Sequence, residues 1–125
     1  MCYREQFDWF VMYVSITGLR PKNISSYFRF WLHTVPALKS AQKSEGVVFC
    51  DVKRRGKYQH SLTVWETKEF MTLYRDGHTH TRAMKVFPSI ATGHVHGFES
   101  KEIPTWDEAL AKWDHTFGHE KEIPS

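Results

Sequence analysis

The chain has 125 residues, 25% charged and 15% aromatic, with a formal net charge of +3. That is the size of one domain able to bury a core of its own. A mildly basic chain without a wide basic face sets nucleic acid aside as a partner, and no apolar run approaches the roughly 18 residues of a membrane span.

Residues 10–17 (FVMYVSIT) are β-branched, aromatic and apolar, which predicts a strand buried on both faces. Asn23 is placed to cap the next element. Ile24, Tyr27, Phe28, Trp31, Leu32 and Val35 follow with the three-four spacing of an amphipathic helix. Pro36 should kink or restart that helix, since it removes a backbone donor. Gly46 ends the stripe and leads into a second strand at 47–52 (VVFCDV).

Lys53, Arg54, Arg55 and Lys57 surround Gly56 and read as a solvated hairpin tip with no site role. Residues 58–65 (YQHSLTVW) alternate as a third strand. Thr67 opens a helix whose apolar side is Phe70, Met71, Leu73 and Tyr74. Asp76-Gly77 breaks it, and a shorter helix at 79–87 carries Ala83, Met84 and Phe87 before Pro88 closes it. Residues 92–98 (TGHVHGF) form the fourth strand. Thr105 and Glu108 have capping-box spacing at the head of a last helix with Trp106, Ala109, Leu110 and Trp113 on one side. Residues from about 118 to 125 read as a polar, frayed tail.

The order β-α-β-β-α-β plus a C-terminal helix is that of a single ferredoxin-like α+β domain over 1–125. Two helices cover one face of such a sheet. Met12, Val14 and Ile16 on one side of the first strand, with Val11 and Tyr13 on the other, make both faces apolar. The second face therefore calls for a two-fold copy, and the expected assembly is a homodimer.

Cys2 and Cys50 belong to no metal or redox spacing, which fits a reducing compartment. The start MCYREQFDWF is acidic and lacks the apolar core of a signal peptide. The expected location is cytoplasmic. Cys50, in an apolar strand, should be an inert thiol. No Ser-His-Asp, nucleophilic cysteine or phosphate-loop pattern is present.

Histidine is in excess, with eight in the chain. His60 lies on the third strand in step with Leu62 and Val64. His94 and His96 share a face of the fourth strand, and His80 sits one turn before Met84. The strands that carry His60, His94 and His96 flank the first strand. The expectation is that His80 faces an internal pocket with Met84, and that His60 or His94 lies across from it. Imidazoles there can move protons or bind heme or metal, though His94-x-His96 has no third metal ligand near it. No metal site is expected.

Leu62-Thr63-Val64-Trp65-Glu66, then Phe70 and Tyr74, then His80-Thr81-Arg82-Ala83-Met84 resemble the dimeric α+β-barrel superfamily of the antibiotic-biosynthesis monooxygenases. The resemblance leans to its spheroidene-monooxygenase-like branch. Ile90-Ala91-Thr92-Gly93 and Pro104-Thr105-Trp106-Asp107-Glu108-Ala109 extend the likeness over roughly residues 10 to 115. It implies a monooxygenase-like enzyme with a hydrophobic small-molecule substrate in a pocket between helices and sheet. Cofactor-free members arrange an Asn, Trp or Tyr around a developing anion. Asn23, Tyr27 and Trp31 along one helix side, and Trp65 at a strand end, are the matching candidates. Heme-degrading members place an axial histidine near the position of Met84, one turn from His80, so the cofactor reading is none or heme. The expected catalytic residues are His80, Trp65 and His60. The expected substrate-binding residues are Asn23, Tyr27, Trp31, Met84, His94 and His96. The alternatives are a heme-dependent enzyme of the same superfamily and a non-enzymatic ligand-binding or assembly subunit.

Overall fold

A computed structural model describes residues 11–121. In chain order the elements are β1 (Met12–Pro21), α1 (Ile24–Gln42), β2 (Val47–Arg55), β3 (Tyr58–Trp65), α2 (Lys68–Arg75), α3 (His78–Ile90), β4 (Ala91–Ser100) and α4 (Trp106–Lys121). The strands form one sheet in the order β2-β3-β1-β4, with every neighbouring pair antiparallel. This is the ferredoxin-like α+β arrangement with an added C-terminal helix.

Local chemistry sets the element ends. The Asn23 side chain accepts from the Ser26 N–H at 2.8 Å and starts α1. The Thr67 hydroxyl accepts from the Phe70 N–H at 3.3 Å and starts α2. Thr105 and Glu108 exchange side chain-to-backbone bonds at 2.9 and 3.1 Å, which completes the capping box of α4.

Neither interior proline ends its helix. Pro36 lies inside α1 and Pro88 inside α3. Each removes one backbone donor, and each helix runs on past its proline, to Gln42 and to Ile90. The tail is likewise shorter than expected: α4 runs on to Lys121, and residues 122–125 lie outside the described residues.

Strand alternation sorts the sheet into two faces. Met12, Val14, Ile16 and Gly18 share one face with His60, Leu62 and Val64, and with His94, His96 and Phe98. Helix α4 lies on this face through Ala109, Leu110 and Trp113, and these side chains with the strand residues form the main core. The face assigned to a second copy is therefore filled from within the chain. That removes the premise from which a homodimer was expected, namely a bare second face.

The hairpin tip is also tied to α4. Arg55 makes a two-pronged ion pair with Asp114 at 2.7 and 2.9 Å, and its guanidinium lies 5.9 Å from the centre of the Trp113 ring. The basic run is thus partly a clasp, and not wholly a solvated tip.

Candidate functional site

The other sheet face carries Tyr13, Ser15, Thr17 and Leu19 from β1, opposite Trp65, Thr63, Ser61 and Gln59 from β3. Helices α1, α2 and α3 stand over it. A cavity of about 940 Å³ lies between them. Its floor is made of small hydroxyl residues (Ser15, Thr17, Ser61 and Thr63), which are too short to reach the helices. Thr17 and Ser61 bond to each other through their hydroxyls. On β4, Gly97 leaves room for the Tyr13 phenol, which occupies the space a Cβ would need.

The roof is Phe30, Trp31, Thr34 and Ala37 from α1, Met71 and Tyr74 from α2, and His80, Ala83, Met84 and Phe87 from α3. Phe30 and Phe87 stack at 5.2 Å and join α1 to α3. Three of these residues bring buried polar atoms that have no hydrogen-bond partner: Trp31 Nε1, Thr34 Oγ1 and His80 Nδ1. An unmet buried polar group costs about 1–3 kcal/mol, and all three belong to residues of one wall.

His80 packs edge-on against Tyr74 at 5.0 Å, and Tyr74 stacks on Trp65 at 5.2 Å. The Tyr74 hydroxyl donates to the Ala37 carbonyl at 2.9 Å. Burial pulls the His80 imidazole below its ordinary value of 6.5, with a backbone contact at Arg75 acting the other way, so the ring is neutral at neutral pH. Burial pushes the Tyr74 phenol up to about 12 and the Cys50 thiol up to about 11, with the Asp51 charge adding to the latter. Cys50 therefore stays a thiol.

Of the residues expected at the site, His80, Met84 and Trp31 line the cavity. Trp65 stands behind Tyr74, fully buried and off the wall. Asn23 spends its side chain on the α1 cap, and Tyr27 packs against Phe28 at 5.9 Å; neither lines the cavity.

The histidines divide. His60 and His94 touch the cavity boundary, but their rings belong to the α4 face. The His60 ring lies 5.0 Å from Trp113, and its Nδ1–H donates to the Thr17 carbonyl at 3.0 Å. His94 stacks on Phe117 at 4.4 Å, and His96 stacks on Phe98 at 5.6 Å. The expectation that His60 or His94 faces His80 is corrected by strand parity: β3 and β4 turn their even-numbered residues toward α4. Among the described residues no three His, Cys, Asp or Glu side chains come together. Thr34 and Tyr74 escaped the sequence reading of the site. Thr34 lies three residues after Trp31 on the same helix side, which was the available signal.

No protein-family profile and no curated protein matches the chain. Solved structures do. The cofactor-independent oxygenase SnoaB from Streptomyces nogalater superposes with a TM-score of 0.60 at 9% identity, over 70% of this chain and 90% of its own. An antibiotic biosynthesis monooxygenase gives 0.59 at 5% identity, over 73% of this chain and 99% of its own. A conserved Bacteroides thetaiotaomicron protein described as a possible oxidoreductase gives 0.61 at 13% identity, over 72% and 97%. The fold is that of the antibiotic biosynthesis monooxygenases. At such identities the likeness carries the backbone and leaves residue roles open.

Proposed function

We propose that this chain is a monooxygenase-like enzyme that takes a hydrophobic small molecule into the cavity between the helices and the sheet. One observation carries the proposal: a largely apolar cavity of about 940 Å³ is lined by Trp31, Thr34 and His80, residues that each carry a buried polar atom with no hydrogen-bond partner. A small rotation of these side chains would turn those atoms to the polar end of an otherwise apolar ligand.

In this reading neutral His80 takes a proton from an acidic C–H or O–H of the ligand. The Trp31 N–H and the Thr34 hydroxyl then donate to the oxygen on which negative charge develops. Trp65 acts through Tyr74 as a positioning residue for His80. The overall change converts a CH₂ group to C=O with one O₂, the second oxygen leaving as water. The substrate supplies all the electrons, so no outside reductant enters. SnoaB, described as a cofactor-independent oxygenase, supports the class. The test is oxygen uptake with aromatic ligands that carry an activated CH₂. Turnover that is lost in His80→Ala and cut in Trp31→Phe is expected, and binding without any uptake overturns the enzyme reading in favour of a ligand-binding subunit.

A second reading is favoured by the same imidazole. Were heme bound there, His80 is the wall imidazole that would hold its iron, and Arg75, paired with Asp76 at 3.5 Å, would lie near a carboxylate. Bound heme would supply redox chemistry. Titration with hemin decides: a Soret shift present in the parent chain and absent in His80→Ala supports it, and no shift ends it.

A further inference from the structure

Helix α1 turns Ser26, Phe30, Ala37 and Ala41 inward. Its outer side carries Ile24, Phe28, Leu32 and Val35, which are 78%, 67%, 70% and 41% exposed. Spacings of four, four and three place them on one stripe. Single exposed apolar residues are ordinary; a continuous stripe of four large ones is not. The charges that α1 and α3 themselves carry are of one sign. Residues 9–44 and 77–98 contain none of the chain's 14 acidic residues, yet carry Arg20, Lys22, Arg29, Lys39, Lys43, Arg82 and Lys85. Helices α1 and α3 come from these two segments and pack together through Phe30 and Phe87. Arg29 and Lys39 are exposed on α1, and Lys85 is exposed on α3.

The geometry points to the outer face of α1, with α3 beside it, as a docking surface for an anionic phospholipid bilayer. Charge complementarity selects this occupant, since α1 and α3 offer bases and no acid of their own to a layer of phosphates. The stripe settles at the boundary between headgroups and acyl chains while the bases reach the phosphates. The attachment is peripheral: among the described residues no helix is long and apolar enough to cross a membrane. Met84 belongs both to the cavity wall and to the exposed surface of α3. Resting on the function proposed above, this gives a lipid-soluble ligand a route from the bilayer. The docking itself does not depend on that function.

Cosedimentation of the full chain with vesicles is the test. The parent chain is expected to bind vesicles of equal parts phosphatidylglycerol and phosphatidylcholine, at least about tenfold more tightly than phosphatidylcholine alone, and to be released by salt. Phe28→Ser with Leu32→Ser, both exposed and outside the core, should weaken binding at least about tenfold with the circular dichroism spectrum unchanged. Arg29→Glu with Lys39→Glu should abolish the preference for the anionic vesicles. No binding by the parent chain overturns the proposal, as does undiminished binding by the serine variant. A soluble dimer that dissociates in the serine variant and ignores vesicles also overturns it, because a second copy then covers the stripe. Oxygen uptake measured in detergent-free solution separates this outcome from failure of the proposed function.

Discussion

His80 couples the chemistry of the cavity to the stability of the chain. Its imidazole is held below 6.5 by burial, so the unfolded chain binds the proton more readily than the folded one. Stability contributed by the neutral ring is full above the unfolded value and falls as pH drops through it. Urea midpoints taken from about pH 7.5 to about pH 5 should therefore decline in the parent chain and decline less in His80→Gln. An equal decline in both would remove His80 from this account. Gly18 supplies a second residue-scale test. A Cβ there falls 2.9 Å from the His60 ring and closer still to Trp113, so Gly18→Ala should cost about 1–3 kcal/mol in a thermal melt. At this scale the sequence showed Trp31, Met84 and His80 through their helix spacing. It hid the site's floor, because residues 10–17 read simply as an apolar strand, although the small size of Ser15 and Thr17 is what leaves the space open. It also misplaced His60: a histidine in step with Leu62 and Val64 follows the core face, which here is the α4 face.

Among the elements, α4 shows how a surface helix is held by polar clasps at its margins and by apolar burial in its middle. Ala109, Leu110 and Trp113 are buried. Asp51 accepts from the Trp106 indole at 2.9 Å, and the His94 carbonyl accepts from the Trp113 indole at 3.1 Å. The Arg55–Asp114 pair is about one-third exposed on each side, so solvent screens it and its worth is about 0.5–1 kcal/mol. A double-mutant cycle of Arg55→Met and Asp114→Asn in urea should return a coupling of that size, reduced at high salt; zero coupling would reduce the pair to a surface contact. Element types were legible from the sequence because caps and periodicity agreed along most of the chain. The prolines misled because a proline costs a helix one backbone donor, and whether the helix survives that loss depends on the packing around it, which is a tertiary fact.

For the molecule as a whole, the expected homodimer now needs a surface other than the one α4 covers. Sedimentation at micromolar concentration tests it: twice the chain mass, unchanged in Phe28→Ser with Leu32→Ser, would keep the dimer proposal on another surface, and a single-chain mass would end it. The order of elements was readable, but the occupant of the second sheet face was not: apolar strands announce that something covers them and do not say whether it comes from another chain or from later in the same one. Here it comes from later. Met12, Val14 and Ile16 near the start of the chain share a core with Ala109, Leu110 and Trp113 near its end. Strand β1 thus leaves the ribosome well before the helix that seals its inner face, and until α4 follows it presents a sticky face to its surroundings. Premature termination anywhere before α4 leaves a chain that can pair its strands and still not close its core, which marks such fragments for chaperones or degradation.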